Sequence, residues 1–264
     1  MDPEECLRRG AIGSVGAVPG TLAAHPLDLI KMRQQVTAAP LSQAIASVVD
    51  GKRGPAAVAA FWRGAGAGVA QKVLTRGPMF LVAEAATQVV QQASGTSRDR
   101  AIAIGSACSG YMTGAFAAPA EWAKVQRGVR GETGLSILRA RGGLTRMHGA
   151  GMRNSLFDCT FFSVENAGRQ RGLPPWLSYA VAAATAVVAD YPLDVAVKRS
   201  MAAPPDQQVQ GPLRSMVQLL RATPTSSFVG LRAKAAEFSI SYAVTGLCST
   251  YVSRFDAYFH KALT

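Results

Sequence analysis

Pro26-Leu27-Asp28-Leu29-Ile30-Lys31-Met32-Arg33 decides the fold, because its outline returns twice along the chain. Pro119-Ala120-Glu121-Trp122-Ala123-Lys124-Val125-Gln126 and Pro192-Leu193-Asp194-Val195-Ala196-Val197-Lys198-Arg199 share a proline, an acid two residues on and a base five residues on. The third copy departs, with Val197 where the base belongs. Acid and base three apart lie on one helix face, and a proline inside a helix kinks it. Each copy closes an apolar stretch, so three equivalent helices in a threefold assembly are predicted.

Outward from these motifs, no Asp, Glu, Lys or Arg occurs over residues 10–25, 101–120, 172–189 or 238–253. Such lengths approach the ~20 residues that cross a bilayer. A buried helix of a soluble protein has the same length, and a mean hydropathy of +0.13 leaves it open. Small residues favour the membrane. Gly16 with Gly20, and Gly110 with Gly114, form GxxxG pairs, and Gly64, Gly66 and Gly68 sit in a Gly/Ala-rich run. In lipid these let helix backbones approach closely, whereas each Gly in a soluble helix costs about 1 kcal/mol relative to Ala. A phosphate loop at 64–68 is disfavoured: no strand precedes it and no GK[ST] follows.

Composition narrows the class further. The 264 residues carry 28 Lys and Arg against 16 Asp and Glu, a net +12, with 48% apolar and 17% charged residues. A disordered basic tail holds fewer apolar residues, and a soluble domain carries about 25% charged ones. Cys6, Cys108, Cys159 and Cys248, like His25, His148 and His260, are scattered without metal or redox spacing, so the cysteines are expected as small buried residues and no metal or other cofactor is assigned. Met1-Asp2-Pro3-Glu4-Glu5-Cys6 resembles neither a secretory signal nor an Arg-rich transit peptide, which predicts internal targeting information. No nucleophile, base and acid set emerges, so an enzyme is not expected.

The positive charge has a location. Residues 31–63 hold five bases and one acid, 122–153 seven and one, and 195–236 six and one, while the rest of the chain is net negative. Three connections that follow the proline motifs therefore share one side of the membrane, by the positive-inside tendency its inner side, with both termini opposite. Nucleic acid is disfavoured as the partner, because the bases alternate with apolar spans and no aromatic-rich surface accompanies them. Anionic lipid fits better.

The chain resembles the mitochondrial carrier family, whose three repeats each carry Px[DE]xx[KR] and, downstream, an acidic-Gly pair followed by aromatic, base and Gly. Repeat one keeps Asp50-Gly51 and Trp62-Arg63-Gly64. Repeat two has Arg141-Gly142 and Met147-His148-Gly149, and repeat three only Phe228-Val229-Gly230. The resemblance covers essentially the whole chain as a single carrier domain with repeats 1–95, 96–172 and 173–264. It implies an all-α membrane protein with six transmembrane helices, near 6–36, 63–93, 99–128, 147–171, 175–202 and 229–261, and short matrix surface helices. Two amphipathic stripes fit the latter: Leu41, Ile45, Val48 and Val49, then Leu213, Met216, Val217 and Leu220. Cardiolipin is implied near Trp62, Arg63 and Gly64.

Charges inside a membrane are costly unless paired or wet, which makes the proline-motif residues a candidate ring. In the family this ring is the matrix gate, here Pro26, Asp28, Lys31, Pro119, Glu121, Lys124, Pro192, Asp194 and Val197. Asp28 is expected to pair with Lys124, and Asp194 with Lys31. Glu121 meets Val197 and lacks a base, since Lys198 is rotated about 100° away. Val197→Lys would then tighten the gate. The opposing gate retains acids at Glu84, Glu165 and Asp256, with Thr87, Gly168 and Phe259 where bases are expected, so a form closed to the matrix should prevail. Substrate contacts fall near Gln71, Met152, Arg153 and Glu237. The Arg triplet of adenine nucleotide exchange is absent after Pro192.

Two functions are compatible with this pattern. One is a mitochondrial inner-membrane carrier moving a small polar metabolite by alternating access, with Arg153 and Glu237 as opposite-charge anchors. The other is a transport-impaired carrier fold serving as a structural subunit or scaffold of a large inner-membrane assembly, respiratory or ATP synthase. Motif decay in repeat three favours the second, and family resemblance the first.

Overall fold

The computed structural model describes residues 3–62, 65–130, 143–204, 207, 210–222, 228 and 230–263, and these are all-α, without a strand. Six long helices carry the fold: α1 Pro3–Thr37, α4 Ala65–Ser94, α5 Arg98–Arg130, α6 Gly143–Gln170, α7 Pro175–Ala202 and α9 Leu231–Leu263. Shorter helices α2 Leu41–Val49, α3 Pro55–Ala60 and α8 Pro212–Ala222 lie in the connections. At 1.5 Å per residue the long helices run roughly 42–53 Å, more than a bilayer's ~30 Å core. Pro26, Pro119 and Pro192 lie inside α1, α5 and α7, each tolerated in mid-helix.

Among the described residues, Arg98–Trp122 and Pro175–Ala202 are the helical stretches long and apolar enough to cross a membrane by composition alone. The sequence expectation of six spans is thus not met on that measure. In α6 charge contributes: it holds Arg146, Arg153, Asp158, Glu165 and Arg169, and buried charges lower the mean hydropathy of a helix even where they face its neighbours.

The long helices form a closed ring in the order α1, α4, α5, α6, α7, α9 and back to α1, and α1, α5 and α7 also touch one another across its centre. Close approach depends on glycine where α5 meets α6. A Cβ on Gly114 would lie 2.6 Å from the Ala150 carbonyl oxygen, and one on Gly110 would overlap the Asn154 backbone. Gly20 faces the Ser241 carbonyl of α9 in the same way, at 2.5 Å.

Two apolar clusters fill the interior. One stacks Phe157, Phe161 and Tyr242 with Tyr179, Val187 and Tyr191, the Phe161 and Tyr242 rings 4.7 Å apart. The other joins Ala118, Trp122 and Val125 of α5 to Ala150, Leu193, Val197 and Met201. The surface helices bury less than their stripes predict. In α2, Ala44 and Val48 are buried while Leu41 is exposed. In α8, Leu219 is buried while Leu213 and Val217 are exposed, because the face toward α7 runs through Met216 and Leu219, three residues apart. Cys108 is exposed and Cys159 and Cys248 half-buried, contrary to the expectation of buried thiols.

Candidate functional site

The proline motifs place their acids and bases at the centre of the ring, and buried side chains from the neighbouring helices complete them. On α1, the Lys31 ammonium lies 2.8 Å from Asp28 Oδ1, three residues back, and donates to Glu237 Oε2 of α9 at 2.7 Å. On α5, Glu121 receives Arg153 of α6 as a fork, Nη1 to Oε1 at 2.7 Å and Nη2 to Oε2 at 2.9 Å. That planar, two-bond geometry is the strong form of an Arg and carboxylate pair. Arg153 Nη1 reaches on to Asp194 Oδ1 of α7 at 3.1 Å. Asp194 Oδ2 is held by Lys234 of α9 at 3.1 Å and by the Gln35 amide of α1 at 2.7 Å. Lys234 also donates to both oxygens of Asp190, at 2.9 and 3.0 Å.

Two expectations change here. Lys198 does reach Glu121 and forms an ion pair with it, so the third repeat does supply a base. A lysine one position late on the helix can still swing its four-carbon stem around to a carboxylate, while Val197, 2% exposed, fills the apolar cluster beside Trp122. Asp194 is partnered by Arg153, Lys234 and Gln35 rather than by Lys31, whose ammonium is taken by Asp28 and Glu237. Asp28 with Lys124 lies outside the described residues, as do the side chains of Gln71 and Asp256, and Arg63 and Gly64 entirely.

A cavity of about 120 Å³ lies against this network. Its walls are Asp28, Lys31 and Glu121 from the expected gate, Arg153 from the expected contacts, and Lys72, Asn154, Phe157, Asp158, Asp190, Lys234, Phe238 and Tyr242, which the motif search passed over. Lys72 projects over the Phe238 ring at 4.7 Å and lies 4.0 Å from Glu237. Of the expected contacts, Arg153 and Glu237 are buried in ion pairs, and Met152 packs against the cluster around Trp122. The missed residues do carry a signal. Asp190 and Asp194, four apart, and Lys234 and Glu237, three apart, present charge on one face of a predicted span.

At the other end of the ring, Glu84 accepts a hydrogen bond from Gln88 of its own helix at 3.1 Å. Glu165 is not without a base: Arg169, one residue beyond Gly168, pairs with it inside α6 and donates to the Tyr179 hydroxyl of α7 at 3.3 Å. Asn166 and Gln170 of α6 both donate to Asp99 of α5, at 2.9 and 3.2 Å. Between helices, that end is joined by the Asn166 and Gln170 amides and by the Arg169 guanidinium.

Arg146 is a further buried cation that motif spacing did not reveal. Its guanidinium lies 4.2 Å from the Trp122 ring centroid and donates to the carbonyls of Ser200 at 3.1 Å and Pro204 at 3.2 Å. It therefore caps the C-terminal end of α7 with a cation, where free carbonyls favour one. Neighbouring His148 instead meets the exposed Tyr111 hydroxyl at 2.8 Å.

No curated protein matches the chain. Residues 2–94, which run through α1 to α4, match the family model described as mitochondrial carrier protein. That stretch is thus similar to the mitochondrial carrier family, whose members are transporters of the mitochondrial inner membrane.

Proposed function

We propose that the protein moves a small polar metabolite across the inner membrane by alternating access, its six long helices spanning the bilayer as repeats 1–95, 96–172 and 173–264. The observation that carries this is the charged cavity set against a network that ties α1, α5 and α7 together at the proline motifs. Asp28, Lys31, Glu121, Lys124, Asp194 and, in place of Val197, Lys198 act as the matrix gate. Glu84, Glu165 and Asp256 line the opposing gate. A solute in the cavity lies beside Arg153, whose pairs with Glu121 and Asp194 must open for it to pass. Gln71 and Glu237 are the contacts proposed on α4 and α9. Trp62, half-exposed with its indole N–H on the Leu22 carbonyl at 3.2 Å, forms with Arg63 and Gly64 the proposed cardiolipin site.

A second reading, a structural subunit of a respiratory or ATP synthase assembly, is favoured by one feature. Arg153 and Glu237, the expected solute anchors, are already consumed as counter-ions. Uptake of labelled metabolites into liposomes holding the purified protein separates the two, beside a native gel of solubilised mitochondria. Uptake above protein-free liposomes is expected. Absence of uptake across the panel, with migration in a large complex, would establish the structural role.

Orientation rests on the positive connections, which place both termini on the intermembrane-space side. Protease added to intact mitoplasts should reach both chain ends before residues 195–236. Earlier cleavage within that segment would reverse the topology.

A further inference from the structure

Asp158 stands apart from every other carboxylate around the cavity. It sits on α6, 3% exposed, and lines the cavity wall. Among the described residues it takes part in no hydrogen bond or ion pair, and its buried Oδ2 has no partner. The reason lies across the helix interface: Oδ2 rests against Gly110 of α5, 2.9 Å from where a Cβ would be, and a bare glycine offers it no side-chain donor. Leaving a buried polar oxygen unmatched costs about 1–3 kcal/mol, and more if it is charged.

The surrounding charges make the vacancy specific. Lys31, Lys72, Arg153, Lys198 and Lys234 face the cavity, and each lies within 4.0 Å of a carboxylate other than Asp158. Those partners are Asp28, Glu121, Asp190, Asp194 and Glu237, so among the described residues Asp158 is the cavity carboxylate without a cation at that distance. Phe157 and Tyr242, rings 6.0 Å apart, line the same cavity. A carboxylate and aromatic faces are together the surroundings that an ammonium group favours.

We propose that Asp158 is a solute-binding residue, which takes the ammonium group of a small organic amine against the Phe157 and Tyr242 rings. This rests on the cavity's being the solute site, and it adds the chemical class that site accepts. Binding of the amine supplies the missing partner of Asp158 and leaves the gate's own ion pairs intact.

The test is thermal unfolding of the full chain in detergent with choline, putrescine, succinate or inorganic phosphate. Choline or putrescine, at about ten times its dissociation constant, should raise the midpoint by about 3 °C, with succinate and phosphate ineffective. Asp158→Asn should weaken amine binding at least tenfold, and Asp158→Glu should retain part of it. Preferential stabilisation by succinate or phosphate, no response to either amine, or an amine response unchanged in Asp158→Asn would each overturn the proposal. If Asp158→Asn does not fold, the wild-type preference between amines and anions decides it. Uptake of an anion without amine binding would remove Asp158 from the site and leave transport standing. Amine binding without uptake of any solute would do the reverse.

Discussion

Arg153→Ala should lower the thermal unfolding midpoint in detergent by on the order of 10 °C, through a loss of about 3–5 kcal/mol. Arg153 is buried, grips both oxygens of Glu121 and also holds Asp194. Removing it leaves Glu121 to Lys198 alone and takes one of three partners from Asp194. The cost comes mainly from the stranded carboxylate, so Arg153→Ala combined with Glu121→Gln should recover part of the loss. A drop of less than about 1 kcal/mol would mean that water screens the network as it does surface pairs. Arg153→Lys should fall between, since an ammonium cannot reproduce the two-bond fork.

Val197→Lys, which motif spacing alone predicts to strengthen the gate, should instead destabilise the protein by several kcal/mol. Val197 is enclosed by Trp122, Val125 and Met201, with its Cγ2 3.2 Å from where a Cβ on Gly149 would be. Glu121, the carboxylate that a base at this position would serve, already has Arg153 and Lys198. A new ammonium would displace a packed side chain and find its expected partner taken. Val197→Met, which changes volume but adds no charge, should cost far less, about 1–3 kcal/mol. Unfolding midpoints of the two variants separate the charge from the volume. A higher midpoint for Val197→Lys would restore the role that the motif implies.

The long helices were legible in the chain because their signals are local. Apolar runs marked four stretches and the prolines three, and the family resemblance implied six helices whose ends lie within a few residues of those observed, as 175–202 against Pro175–Ala202 and 229–261 against Leu231–Leu263 show. Gly110 and Gly114 declared a close helix contact in advance, since only a residue without Cβ allows it, and the structure makes α6 the partner. The family resemblance was legible for a related reason: Px[DE]xx[KR] repeats along the chain, and repetition multiplies a signal that is weak in any single copy.

Partnership was not legible, because it depends on side-chain reach and on which helices touch. Residue counting removed Lys198 from Glu121 by about 100° of helix rotation, yet the lysine stem spans that arc. Gly168 likewise hid Arg169, whose base serves Glu165 from one position on. Nor does any motif announce that Arg153 and Lys234, from α6 and α9, neutralise acids of the gate. The sequence by itself determined an all-helical chain with three charged proline motifs, through hydrophobic period and repetition. Only the tertiary structure decided which charge answers which, and left Asp158 beside Gly110 without an answer, because a long flexible side chain chooses among neighbours that folding alone brings within 3 Å.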